Sequence, residues 1–137
     1  MPSIFTKIIN GELPGRFVYR DELCVAFLTI APLKPGHTLV VPIEEIDHWI
    51  DVPPELSSHL FAVAQKVSQA IQQEFQPKKV GLMIAGLEVP HTHLHLVPIH
   101  ALHELDFSKQ DQNPDQAMMD DTMNRLRTAV GWNPEEK

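Results

Sequence analysis

His91-Thr92-His93-Leu94-His95-Leu96-Val97 decides how this chain is read. Histidine alternates with Thr and Leu, and alternation at period two marks a half-buried strand. In a strand, residues i, i+2 and i+4 share a face. The pattern predicts that His91, His93 and His95 project together, while Thr92, Leu94 and Leu96 face a core. A lone strand histidine is ordinary polar packing. Three in phase have no packing rationale, and imidazole serves as nucleophile, proton donor or hydrogen-bond orienter near neutral pH. His-x-His pairs on strands also ligate zinc or iron, so a metal site is the rival reading. A catalytic metal site would usually want a carboxylate or a further His nearby, which places catalysis by the imidazoles themselves first.

Working outward, Gly86-Leu87-Glu88-Val89-Pro90 reads as a tight link from a buried strand over 80–85, and Pro98 as the end of the histidine strand. Upstream, Leu56, Leu60, Val63, Val67, Ile71 and Phe75 recur at spacings of three and four. They predict a helix that starts at Pro53-Pro54 and ends at Gln76-Pro77. Phe17–Arg20, Cys24–Leu28 and Thr38–Pro42 read as strands, and residues 3–9 as a short helix. Ala31-Pro32-Leu33-Lys34-Pro35-Gly36 is a loop that delivers His37 to the third strand. Residues 100–114 are irregular and polar. A last helix is expected from Pro114, capped by Asn113, with Met119, Met123, Leu126 and Val130 inward and Gly131 as its stop. Strands joined by short turns, with helices between and after them, predict one α+β domain over 1–137 with a mostly antiparallel sheet.

The chain has 137 residues, enough for one domain with a core. No apolar run is long enough to span a membrane, and the N-terminus lacks the layout of a signal peptide. The single cysteine, Cys24, excludes an intramolecular disulfide and fits a reducing cytoplasm. The net charge of -7 argues against binding long nucleic acid by phosphate neutralisation, though not against one nucleotide in a pocket.

These motifs together resemble the histidine-triad (HIT) family of nucleotide hydrolases and transferases. His91 to Val97 matches the family's His-x-His-x-His followed by two hydrophobic residues. Ser3-Ile4-Phe5-Thr6-Lys7-Ile8-Ile9 with Gly11-Glu12-Leu13-Pro14 is similar to its N-terminus, and Ala26-Phe27 with Pro35 to Pro42 to its central strands. The resemblance covers about residues 3–98, closest to the Hint-like and bacterial branches, and leaves a variable arm and helix over 99–137. It implies a sheet of about five antiparallel strands and a homodimer. His93 would be the nucleophile at the α-phosphorus of a purine nucleoside phosphoramidate or dinucleoside polyphosphate. His95 and His37 would supply hydrogen-bond donors, and His91 would hold His93 through its backbone carbonyl.

The resemblance implies a purine pocket lined by Ile4, Phe5, Ile8, Leu13, Phe27 and Ile30; the alternative is that they are simply core, which for Ile8 serves equally well. Thr29 stands where the family commonly has the Asp that holds the ribose hydroxyls, and Gly86-Leu87-Glu88 where Gly-Gln-Ser is usual. Some bacterial members bind structural zinc through Cys-x-x-Cys, a later His and the first triad His. The corresponding residues here are Ser3, Thr6, His48 and His91, and hydroxyls are poor zinc ligands, so neither metal nor cofactor is expected. The C-terminal segment can close a partner's site in related dimers, which makes His100, Trp132 and the last helix candidates. Two other functional readings stay open: a metal-dependent enzyme with His91, His93 and His95 as ligands, and a nucleotide-binding regulatory module with weak or no catalysis.

Overall fold

The structure, a computed structural model, describes residues 2–135. Cys24–Leu28 (β2) and Thr38–Pro42 (β3) are apolar almost throughout, without the alternation of a one-sided strand. Such strands need cover on both faces. Both are buried at every position and pair antiparallel in the middle of the sheet. Phe17–Arg20 (β1) flanks β2, and Leu94–Ile99 (β5) and Lys79–Met83 (β4) extend the other side, giving five antiparallel strands in the order β1-β2-β3-β5-β4.

The helices divide by face. Helix α1, Ile4–Ile9, starts on Ser3, whose hydroxyl accepts from the Thr6 N–H. It buries Phe5, Ile8 and Ile9 against Val25, Phe27, Leu39 and Val41. Helix α2, Pro54–Phe75, covers the opposite face, where Leu60, Val63, Val67 and Ile71 meet Cys24, Ala26, Leu28, Val40, Leu94 and Leu96. It ends on Gln76 in the left-handed conformation, ahead of Pro77. Helix α3, Gln116–Val130, lies against α2 and β1 and ends on left-handed Gly131. No helix among the described residues is long and apolar enough to cross a membrane.

Four boundaries differ from the sequence reading. The histidine strand begins at Leu94, not His91. The His91 N–H donates to Val89 O and the Thr92 N–H to Ile46 O, so neither enters the ladder, and β3 pairs only as far as Val40 with Leu94. Pro98 does not end the strand: it pairs with Val80. The β3 pairing stops at Leu96, which leaves one side of β5 open where a missing N–H costs nothing. Strand β4 ends at Met83 rather than 85. Helix α3 starts at Gln116, because Asp115 rather than Asn113 caps it, accepting from the Ala117 N–H.

Candidate active site

Antiparallel register builds the site. Leu39 of β3 lies opposite His95 of β5, and cross-strand partners share a face. His37, two residues before Leu39, therefore joins His95 on the α1 side of the sheet. Gly36 makes that entry possible. Its φ is +100°, and a Cβ there would lie 3.1 Å from the Phe75 ring. His37 Nε2 sits 3.0 Å from His95 Nδ1, and the His95 and His93 rings follow at a centroid distance of 4.8 Å. His37, His95 and His93 thus form a row.

His91 does not join it. It is fully buried between Ser3 Oγ, 2.7 Å from Nδ1, and Pro42 O, 2.8 Å from Nε2. The expectation of three imidazoles on one strand face fails because the chain turns before Leu94. The first histidine becomes a buried prop, and His37 takes its place in the row.

Hydrogen-bond partners fix the ring protons of these four histidines. The Leu33 N–H donates to His37 Nδ1 at 3.0 Å, so neutral His37 carries its proton on Nε2 and donates to His95 Nδ1. His95 then carries its own proton on Nε2. A carbonyl can only accept, so His93 Nδ1–H donates to His91 O at 2.7 Å, and His93 Nε2 keeps a free lone pair. By the same logic His91 Nε2–H donates to Pro42 O, and its Nδ1 accepts from the Ser3 hydroxyl. The row thus carries a bare Nε2 on His93 and an Nε2–H on His95, on rings whose centroids lie 4.8 Å apart.

Burial keeps these rings neutral. It lowers His37 to about 3, helped by the positive character that His95 and His93 would acquire. It lowers His95 to about 4, helped by His93. His93 is lowered by burial as well, opposed by its bond to His91 O and by the Glu88 carboxylate. His91 is lowered by burial against the pull of Pro42 O and Glu45.

The apolar pocket residues split into two groups. Phe5, Ile8 and Phe27 are buried in one cluster, and the Phe5 ring stands edge-on to His93 at 4.8 Å. Ile4, Leu13 and Ile30 are exposed, and Leu87 is 94% exposed beside exposed Glu88 and left-handed Gly86. Thr29 is buried, with its hydroxyl accepting from the Ala31 N–H, so a ribose contact would have to use the remaining O–H. His100 is exposed, and Trp132 packs on the α2 side beneath Arg127, away from the row of its own chain.

Two features escaped the sequence reading. The irregular arm contains 3₁₀ turns over Leu102–Leu105 and Phe107–Lys109, and the Phe107 ring lies edge-on to His95 at 4.7 Å. The arm is tied to the loop before His37 by a Lys34–Glu104 ion pair, by Gln110 Nε2 donating to Ala31 O and by the Asp111 N–H donating to Pro32 O. A single aromatic in a polar arm was the only available signal. Glu45 is the second feature. It accepts from the Ser3 N–H and the Thr6 hydroxyl, both at 2.7 Å, and so anchors the residue that holds His91.

The same contacts bear on the positions that correspond to the structural zinc site of some bacterial members. Ser3 and Thr6 offer hydroxyls already committed to His91 and Glu45, and His48 caps the 3₁₀ turn over Trp49–Asp51. This donor set does not fit a zinc ion. His91, His93 and His95 do not converge on a common point either; among the described residues only Asp21, Cys24 and His59 bring three metal-ligating atoms together.

The chain matches known proteins over most of its length. The HIT domain family model matches residues 10–102. "Protein hit" of Bacillus subtilis is 39% identical over 102 residues, covering 69% of this chain and 69% of that protein. A bis(5'-nucleosyl)-tetraphosphatase of Schizosaccharomyces pombe is 35% identical, covering 78% of this chain and 58% of its own. A zinc-bound histidine triad family protein from Mycobacterium smegmatis superposes with a TM-score of 0.80 at 29% identity, over 93% of this chain and 92% of that one.

Proposed function

The chain belongs to the HIT family, and from that premise we propose that it cleaves the α-phosphate bond of a purine nucleoside phosphoramidate or dinucleoside polyphosphate, with His93 as nucleophile. The observation that carries this reading is the bare Nε2 of His93 on a ring adjacent to His95, whose proton sits on Nε2. The S. pombe relative, by its name, acts on a dinucleoside tetraphosphate. A similar substrate suits a site whose proton donor, His95, is neutral until an anionic phosphate binds.

The His93 Nε2 lone pair forms the P–N bond, and the bond from phosphorus to the leaving group breaks with its electron pair. His93 keeps its Nδ1 proton, and the positive charge it gains is spread toward His91 O. The His95 Nε2–H donates to a phosphate oxygen or to the departing atom, which stabilises charge as it develops. His95 is neutral at pH 7 when the site is empty. A bound phosphate anion opposes that shift and favours imidazolium, so substrate itself equips His95 to give a proton. Water then breaks the P–N bond, releasing the nucleoside monophosphate and neutral His93. Apolar residues about Phe5 would take the base, and the protein would work as a homodimer.

Trapping tests this. Wild-type chain quenched in acid-free denaturant during turnover of an adenosine phosphoramidate should carry a nucleotidyl group on the peptide containing His93. His93→Ala should lose turnover by more than the ~10²–10⁴-fold typical of a general acid or base. An adduct elsewhere, or a His93→Ala variant with substantial turnover, refutes the assignment. Nucleotide binding without turnover by the wild type would leave a binding module in place of an enzyme.

A further inference from the structure

On the opposite face of the sheet from the histidine row, three unlike metal-ligating groups meet. Asp21 opens the turn between β1 and β2, Cys24 is the first residue of β2, and His59 comes from the first half of α2. A carboxylate oxygen, the Cys24 sulfur and a ring nitrogen of His59 all lie within 4.8 Å of one another. Asp21 Oδ1 accepts the N–H groups of Leu23 and Cys24, at 2.8 and 2.9 Å. That turn presents Oδ2 and Sγ from positions i and i+3. The same two-residue spacing serves the Cys-x-x-Cys half of structural zinc sites. Oδ2 meets His59 Nε2 at 2.7 Å and accepts from the Tyr19 hydroxyl at 2.8 Å.

We propose that Asp21, Cys24 and His59 form a Zn²⁺ site that joins the β1–β2 turn to α2 and leaves one coordination position for water. Four arguments support it. Zinc bonds of about 2.0–2.3 Å place tetrahedral donors roughly 3–4 Å apart, so closing this cluster takes about 1 Å of side-chain movement. The thiolate, imidazole and carboxylate mixture suits zinc better than the hard cations, which take oxygen alone. One carboxylate and one thiolate balance the dication. Tyr19 orients Asp21 in the way that outer partners orient metal ligands.

Binding has a definite proton count. The Cys24 thiol is wholly buried, and burial together with the Asp21 carboxylate holds it well above the ordinary thiol range. Its proton must leave to solvent when the metal enters. His59 moves its ring proton from Nε2, where it faces Asp21, to Nδ1. Entry is open on the His59 and Asp21 side, where the side chains are 33% and 23% exposed.

Cobalt(II) is the direct probe, because Cys24 is the sole cysteine and a sulfur-to-cobalt charge-transfer band can report nothing else in the chain. Titration of the full chain without thiol reductant should raise that band to saturation at one ion per chain, strengthen it as pH rises and lose it on adding Zn²⁺. His59→Asn should weaken cobalt binding at least ~10-fold, whereas His93→Asn should leave the band unchanged. Absence of the band in wild type overturns the proposal. So does a band that His59→Asn leaves intact, since cobalt would then bind Cys24 without His59.

Discussion

Burying a row of histidines should make this protein sensitive to mild acid, and His37→Asn measures by how much. His37 is 1% exposed and titrates near 3 in the folded chain, against 6.5 when unfolded. Between those values the unfolded chain binds the proton and the folded chain does not, so stability rises with pH and is lost as pH falls below 6.5. At about pH 4.5, roughly two units below the unfolded value, the loss is about 2–3 kcal/mol at 1.36 kcal/mol per unit. His95, folded near 4, adds a similar direction of change. These are large shares of the ~5–15 kcal/mol that holds a domain together. The carboxylates with lowered values, Asp21, Glu45, Glu104 and Asp106, lose their contribution only below their own unfolded values of 3.8 to 4.5, so the first part of the acid range belongs to the histidines. Asn keeps an acceptor for the Leu33 N–H and cannot titrate. Urea unfolding followed by circular dichroism at about pH 7.5 and about pH 4.5 gives the difference for each protein. The wild-type difference should exceed that of His37→Asn by about 2–3 kcal/mol. Equal differences would mean that His37 is solvated or already charged, and the tautomer assignment built on it would fall.

Two further predictions concern the approaches to the row. Glu88 favours the charged form of His93, so Glu88→Gln should move the acid limb of kcat/KM to lower pH; an unmoved limb would place Glu88 outside the electrostatics of the site. Gly36→Ala must strain a backbone at φ +100° and push a methyl against Phe75. It should cost more than ~1 kcal/mol in urea unfolding and displace His37, lowering turnover as well; a variant as stable and active as wild type would show that this turn relaxes freely.

What the sequence disclosed and what it hid follow from the range over which each signal acts. The period of α2 and the apolar runs of β2 and β3 are local, and the elements stand where the spacings put them. The alternation at 91–97 is local too, yet it misplaced His91. Side-chain pattern does not say where ladder hydrogen bonds stop, and here the partner ran out at Val40 while Ile46 O captured the Thr92 N–H. The contacts of the site that no local pattern discloses are all long-range: Ser3 to His91, His37 to His95, Phe107 to His95. By spacing alone His37 is an ordinary strand-end residue; the family resemblance put it in the site, and the register of Leu39 opposite His95 is what brings it there. Ser3 carries the same lesson in its chemistry. Read against zinc-binding relatives it is a missing thiolate. In the structure its hydroxyl caps α1 and donates to His91, so one residue couples the start of the chain to the carbonyl that orients His93. Where some relatives would use a metal to position the first histidine, this chain uses a hydrogen-bonded network of Ser3, Thr6 and Glu45. The task of fixing His91 is the same, and neutral donors suffice because His91 needs only orientation, with both of its nitrogens already assigned.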